Sequence, residues 1–173
     1  MDIFDTTVIE GGRITIARIT QADRRGLREL VENDRIYRTA PTFLFERRYD
    51  IDTVIDRLYT EAVDEGSLIL GVYTDTFCGI AEMYGYNERM HKISIGCRLC
   101  ERAWGSGIAT EVGKMMIDHI YGNTDIEIIT ASSMVENKGA TRSLTKSGFI
   151  LTASGVEEDW GYPTPTLVNK WFR

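Results

Sequence analysis

The spacing of apolar side chains divides the chain into short strands and amphipathic helices. Between residues 93 and 100, apolar side chains alternate with polar or small ones, which is typical of a strand. After Gly105 and Gly107 the spacing changes to three and four residues, which predicts a helix ending near Tyr121. Similar spacing predicts helices after Thr20 and over residues 50–63 and 137–146. The predicted strands are residues 12–19, 67–73, 76–84, 91–100, 126–130 and two more at the end of the chain.

The order of these elements predicts one α/β domain over residues 1–173. Short strands joined by turns near residues 74–75 and 86–89 favour an antiparallel meander. A strand, the helix after the glycines and a further strand then form a parallel pair, whose connection should be right-handed. We therefore expect a mixed, mostly antiparallel sheet of about seven strands with helices on both faces.

The charge balance narrows the range of partners. The chain has 26 acidic and 20 basic residues, and its net charge of −6 disfavours nucleic-acid binding, which needs a basic surface. An acidic surface attracts a cationic amine, although it also serves solubility alone. We see no basic, apolar leader and no long uncharged hydrophobic run, so we expect no membrane binding and a cytoplasmic location. The sequence is compatible with a monomer and with a homodimer.

The three cysteines fit a reducing compartment better than a disulfide framework. Cys97 and Cys100 form a C-x-x-C pair, but residues three apart on a strand point to opposite faces. The sequence has no second pair of ligands at zinc spacing. We therefore predict no metal site.

Segment 102–111 joins the central strand to the following helix and is the main candidate binding site. Because Gly105 and Gly107 have no Cβ, the backbone can turn sharply and an anion can approach several amides. The first helical amides have no intrahelical partner and lie at the positive end of the dipole, which predicts a pyrophosphate site. Two alternatives stay open. The glycines serve packing alone, or they begin a dinucleotide-binding fingerprint with Asp125 downstream, although Thr110 replaces the third glycine of that pattern.

Two motifs resemble those of the GNAT N-acetyltransferase superfamily. Arg102-Ala103-Trp104-Gly105-Ser106-Gly107 fits R/Q-x-x-G-x-G/A. The overlapping segment from Trp104 to Glu111 resembles the ribosomal-protein-alanine, or RimJ/RimL-like, branch. The family's later segment is matched, in order and spacing, by Asn137, Ala140, Lys146, Gly148 and Phe149. The resemblance implies transfer of an acetyl group from acetyl-CoA to a primary amine, such as a protein N-terminus, a polyamine or another small amine.

The resemblance also implies which residues bind acetyl-CoA. In relatives, amides at the end of the central strand bond to the pantetheine arm and polarise the thioester, and the loop amides hold the pyrophosphate. The implied residues are Arg98, Leu99, Cys100, Arg102, Gly105, Ser106, Gly107, Ile108, Ala109, Thr110, Asn137 and Arg142. A helix cap is the alternative role for Asn137, and a solvated surface position is the alternative for Arg142.

The later segment departs from the family at the leaving thiolate. Some relatives have a serine three residues after the asparagine or a tyrosine seven after it, where this chain has Ala140 and Leu144. The proton must then come from elsewhere, such as Ser143, Cys100, a tyrosine or water, or the thiolate leaves unassisted. A non-catalytic acyl-CoA-binding or regulatory module is therefore the alternative function.

Two residues are candidates for the base that takes the proton of the amine. Glu82 falls on an otherwise apolar face of its strand. Such surroundings disfavour the charged form of a carboxylate and raise its pKa toward the range of a general base. His91 lies eleven residues before Arg102, where some relatives place a catalytic glutamate, and histidine titrates near neutral pH. The alternatives are an ion pair for Glu82 and a surface turn for His91. Glu82 is the first choice.

Residues 155–165 form a further candidate binding segment. They combine three acids, two aromatic residues and two prolines between the last two predicted strands. An acidic and aromatic rim suits an ammonium group through charge and cation–π contact. The alternative is an ordinary exposed hairpin tip.

Overall fold

The fold is built on one mixed β-sheet. The computed structural model describes residues 2–40, 50–60, 63–64 and 66–173. Within these ranges the strands are β1 Val8–Glu10, β2 Thr15–Ala17, β3 Val63–Asp64, β4 Ser67–Tyr73, β5 Phe77–Asn87, β6 Lys92–Leu99, β7 Ile128–Met134, β8 Ile150–Glu158 and β9 Thr166–Phe172. The helices are α1 Arg24–Glu32, α2 Asp34–Tyr37, α3 Ile51–Thr60, α4 Ile108–Asn123 and α5 Lys138–Lys146.

The strand order confirms the predicted mixed, mostly antiparallel sheet. The order is β1-β2-β4-β5-β6-β7-β9-β8, and β3 pairs with the beginning of β4. Among the strands of the described residues, only β6 and β7 run parallel, since α4 connects them. The sequence predicted about seven strands, and it missed β1 and β3 because three and two residues are too few to show an alternating pattern.

Helices cover the sheet on both faces, as predicted. On one face, α4 buries Ile108, Val112, Met116, Ile117 and Ile120 against the inner residues of β4 to β7. On the other face, Leu27 and Leu30 of α1 and Ile55 of α3 pack on Phe77 and Ile80 of β5. β6 lies between these two apolar layers. Its C-terminal end leads to the loop that contains Gly105 and Gly107, which we call the glycine loop.

The helix predicted after Thr20 begins with the expected side-chain bonds. The amide and hydroxyl of Thr20 donate to a carboxylate oxygen of Asp23, at 2.7 and 3.0 Å. A short 3₁₀ turn over these residues leads into α1. The helix predicted over residues 50–63 is confirmed from Ile51 to Thr60, and residues 61–62 lie outside the described ranges. Its predicted end is wrong, because Val63 of β3 pairs with Leu68 of β4.

The helices were compared with the requirements for crossing a membrane. Within the described ranges, none of them combines the length and the apolar character that a bilayer crossing requires.

Candidate active site

Strands β6 and β7 separate part-way along their length. They pair only from Lys92 with Ile128 to Ser94 with Thr130, although β6 continues to Leu99 and β7 to Met134. Beyond residue 94 the two strands leave an opening, which we call the β6–β7 gap. A strand edge without a neighbour exposes backbone amides and carbonyls. A ligand can form hydrogen bonds with them in the same way as an added strand.

The direction of neighbouring hydrogen bonds shows which β6 residues face the gap. The carbonyl of His91 accepts bonds from the amides of Glu127 and Ile128 on the β7 side, whereas the amide of Cys100 donates to Cys78 of β5 at 2.8 Å. Backbone groups alternate in direction along a strand. Those of Cys97 and Leu99 therefore face the gap.

This alternation distinguishes the three β6 residues predicted to contact acyl-CoA, and the contact itself stays a prediction. Among Arg98, Leu99 and Cys100, only Leu99 directs its amide into the gap. The backbone groups of Arg98 and Cys100 face β5, where Cys100 already donates to Cys78. Pairing of β6 with β5 decides this direction, and it leaves the backbone of Cys97, next to that of Leu99, facing the gap.

Trp104 supports the open end of the gap. Its indole N–H donates to the carbonyl of Leu99 at 3.0 Å, so this carbonyl is satisfied without β7. The guanidinium of Arg35 lies 5.6 Å from the ring centroid, and Arg35 also pairs with Glu101. Trp104 thereby links the end of β6 to α2.

The glycine loop has the backbone geometry of an anion site. Gly105 and Gly107 have φ angles of 72° and 83°, in the left-handed region that side chains disfavour. The first intrahelical bond of α4 runs from the amide of Glu111 to the carbonyl of Gly107, at 3.1 Å. The amides of Ile108, Ala109 and Thr110 therefore have no intrahelical acceptor. A ligand anion can bind at this helix terminus.

Two side chains at the glycine loop form hydrogen bonds with the protein itself. The hydroxyl of Ser106 donates to the carbonyl of Ala103 at 2.6 Å. Arg102 donates to the carbonyl of Phe77 at 2.5 Å, and its Nε lies 3.6 Å from a carboxylate oxygen of Glu29. The Arg102 side chain thus contacts β5 and α1, and its role as a cofactor ligand stays a prediction.

The second motif starts α5 beside α4. Asn137 caps α5, because its Oδ1 accepts a bond from the amide of Ala140 at 2.9 Å, and its Nδ2 donates to the carbonyl of Thr39 at 3.3 Å. This geometry favours the cap over a contact with pantetheine. Arg142 is exposed on α5, and its contact with a phosphate stays a prediction.

The proposed proton donors for the thiolate differ in position. Ser143 lies next to the α4 terminus, with its Oγ 3.5 Å from Oγ1 of Thr110. Cys100 is fully buried among residues of α1, α3 and β5, and burial raises the pKa of its thiol to about 12. Cys100 is therefore too enclosed to reach a ligand in the gap.

Glu82 lies beside the gap on the face that carries α1 and α3. One of its carboxylate oxygens is 3.1 Å from the point where a Cβ on Gly96 would lie, so the missing side chain at Gly96 makes room for Glu82. Tyr84 follows on the same face. Burial, followed by the charges of Glu82 and Glu158, raises the pKa of its phenol to about 12. Glu82 and Tyr84 thus form a polar patch next to β6.

His91 lies at the closed end of the β6–β7 pair. Its Nδ1 is 3.2 Å from a carboxylate oxygen of Asp125 and 3.1 Å from the carbonyl of the same residue. Five residues of strand separate it from Gly96, which corresponds to roughly 16 Å. His91 occupies a surface turn with a φ of 47°, away from the gap, and its role as a base stays a prediction.

A cavity of about 770 Å³ lies at the open end of β7. It is bordered by α2, by the residues following β7 and by the loop between β8 and β9. Tyr162 of this loop donates its hydroxyl to the carbonyl of Tyr37 at 2.6 Å, which joins the loop to α2. Asp34 and Glu136 contribute carboxylates to the cavity wall.

The acids of segment 155–165 are used differently from the prediction. Glu158 accepts bonds from Lys170 and from the indole of Trp160, and these bonds hold the pKa of its carboxyl below the usual value despite partial burial. Its charge is therefore compensated within the protein. Tyr162 of the segment lines the cavity, whereas the acids on the cavity wall come from α2 and from the residues after β7.

The family assignment rests on a match that covers most of the chain. A family model described as an acetyltransferase (GNAT) domain matches residues 13–150. The chain belongs to the GNAT acetyltransferase family. It is therefore an N-acetyltransferase by family, and this membership argues against the dinucleotide-dependent alternative. Among curated protein sequences, none matches the acetyltransferase significantly.

Solved structures share the fold at low sequence identity. A GNAT-family acetyltransferase from Bacillus anthracis is 13% identical with a TM-score of 0.82, covering 96% of this chain and 98% of that one. A spermidine N-acetyltransferase from Vibrio cholerae, in complex with CoA and spermine, is 19% identical with a TM-score of 0.77 and coverages of 94% and 96%. RimL, a ribosomal L7/L12 α-N-protein acetyltransferase in complex with CoA, is 13% identical with a TM-score of 0.76 and coverages of 96% and 97%.

Proposed function

We propose that this acetyltransferase moves an acetyl group from acetyl-CoA to a primary amine. The observation that supports this most directly is the β6–β7 gap, with the Leu99 amide on its edge and the start of α4 beyond its open end. A ligand that reaches both places needs an amide-containing arm joined to a phosphate group. The pantetheine arm and pyrophosphate of CoA have this composition.

In the proposed complex, the pantetheine arm lies in the gap as a partial strand. Cys97 and Leu99 supply backbone bonds along its length, and the Leu99 amide polarises the thioester carbonyl. The loop amides and the start of α4 hold the pyrophosphate. Fixing both reactants in this way accounts for up to roughly 7–11 kcal/mol of the barrier in well-oriented systems.

The amine approaches from the face that carries Glu82. Glu82 takes a proton from the ammonium form through a water molecule, the neutral nitrogen attacks the thioester carbon, and the carbon–sulfur bond breaks. The CoA thiolate leaves without a serine at position 140 or a tyrosine at position 144. We propose that solvent protonates it.

The acceptor is an amine with an apolar or aromatic-binding portion that enters the 770 Å³ cavity. Tyr37 and Tyr162 form its aromatic wall. Asp34 and Glu136 outnumber Arg38, the arginine of the same lining, so the balance of charge favours a positively charged group. A peptide N-terminus, as for RimL, and a polyamine, as for the spermidine acetyltransferase, both carry such a group. The match at Trp104 to Glu111 favours the RimJ/RimL-like branch and hence the peptide.

The test is the release of free CoA from acetyl-CoA in the presence of peptides beginning with alanine or serine, spermidine and small monoamines. We expect turnover that requires a free amine, with the same peptides carrying a blocked N-terminus as controls. Replacing both Asp34 and Glu136 by their amides should raise KM for the preferred amine and leave the affinity for acetyl-CoA unchanged. Binding of acetyl-CoA without release by any amine would instead support the non-catalytic module.

A further inference from the structure

The turn between β1 and β2 contacts the glycine loop through one arginine. Arg13 is 98 positions before Glu111 in sequence, yet its Nε lies 2.9 and 3.1 Å from the two carboxylate oxygens of that residue. Its Nη2 also donates to Oε1 of Glu111 and, at 2.7 Å, to the carbonyl of Ser106. The guanidinium thus joins the side chain of α4 and the backbone of the loop in one fork.

The bond to Ser106 bears on the direction of a loop amide. The peptide between Ser106 and Gly107 is planar and trans, so its carbonyl and its N–H point in opposite directions. Arg13 holds the carbonyl on its own side. The Gly107 amide must therefore point away from Arg13. Glycine with a φ of 83° has little intrinsic preference for one orientation of this peptide, so an external bond has a strong influence.

The bond to Glu111 bears on the charge near the same terminus. Glu111 is the fourth residue of α4, and a carboxylate there would repel a bound phosphate. Hydrogen bonds from Arg13 compensate this charge and lower the pKa of the Glu111 carboxyl. The side chains of both residues are about half exposed, at 53% and 43%, so the pair contributes little to folding stability.

We propose that Arg13 is a positioning residue for the pyrophosphate of acetyl-CoA: it orients the Ser106–Gly107 peptide and shields Glu111 without touching the ligand. The inference rests on the proposed use of acetyl-CoA. It assigns a cofactor-side function to the β1–β2 turn, which the two sequence motifs do not include. The role requires the forked guanidinium of an arginine, because one side chain donates to the Glu111 carboxylate and to the Ser106 carbonyl in different directions.

The experiment measures binding of CoA and of 3′-dephospho-CoA by calorimetry to wild type, Arg13→Gln, Arg13→Lys and Arg89→Gln. Arg89 is exposed in the turn at the other end of β6, so its replacement makes the same change of charge far from the loop. We expect Arg13→Gln to weaken both ligands by the same factor, about tenfold, as for a hydrogen bond to a charged group. Arg13→Lys should stay similarly weak, and kcat at saturating acetyl-CoA should not change.

Several results would overturn the proposal. If Arg13→Lys binds CoA like wild type, the charge alone matters. If CoA weakens and 3′-dephospho-CoA does not, Arg13 is a direct ligand of the 3′-phosphate. If Arg13→Gln binds like Arg89→Gln, Arg13 has no role in binding. In these three cases the proposed function stands, whereas absence of CoA binding by wild type would overturn both.

Discussion

The two sides of β6 differ in how they are assembled. The cofactor side, meaning the glycine loop and the start of α4, comes from one continuous segment whose backbone angles and helix terminus follow from local sequence. The acceptor side, meaning Glu82, Tyr84 and the cavity near Tyr162, comes from β5, α2, β7 and the β8–β9 loop. The proposed phosphate site is thus mainly a local structure, to which Arg13 adds a contact from a distant segment, whereas the proposed amine site depends on several distant segments throughout.

The largest expected effect is on the cofactor side. Gly107→Val places a branched side chain at a φ of 83°, which strains the turn and disorders the amides before α4. We expect CoA affinity to fall at least about 100-fold, or roughly 2.7 kcal/mol, in a calorimetric titration. Gly122→Val is the matched control, because Gly122 lies in α4 with open space around it. Unchanged CoA affinity in folded Gly107→Val protein would show that the glycine loop does not form the cofactor side of the site.

Next in size is the effect of Glu82→Gln on the acceptor side. Loss of a general base should lower kcat by about 100-fold while CoA affinity stays unchanged. Activity should recover partly as pH rises, since more of the amine then arrives neutral. Glu88→Gln, in the turn after β5, makes the same change away from the gap. Normal turnover by Glu82→Gln from pH 6 to 9 would show that the reaction needs no base at this position.

A smaller effect is expected at Asn137, which begins α5. Asn137→Ala removes the cap of α5 and should lower the free energy of unfolding by about 1 kcal/mol, as chemical denaturation can measure. Asn137→Asp preserves the cap and should retain both stability and CoA affinity. A stable Asn137→Asp protein with weakened CoA binding would identify the side-chain amide as a ligand, contrary to the cap.

The smallest effect is expected for His91→Ala. The histidine lies at the closed end of the strand pair, beside Asp125, so neither side of the site contacts it. We expect kcat and both KM values to stay within about twofold of wild type, well under the effects typical of a general base. A large fall in kcat, with Arg89→Gln active, would return His91 to the reaction and contradict its placement in the structure.

The sequence by itself determined the features that depend on neighbouring residues. The alternation in residues 93–100, the glycine turn and the helix that follows appear where they were predicted. The family match over residues 13–150 agrees with the resemblance drawn from segments 102–111 and 137–149. Strand period, helix period and positive φ are local properties, so they can be recognised without a partner.

Only the tertiary structure decided which groups face the ligand. Pairing of β6 with β5 sets the direction of the Leu99 and Cys100 amides, and no pattern within the strand distinguishes the two edges. Arg102 turns toward Glu29 and Phe77, and Arg13 reaches Ser106, because packing brings together residues far apart in the chain. Hydrophobic periodicity reports which face of a strand or helix is buried, but contains no information about the partner that a polar side chain finds there.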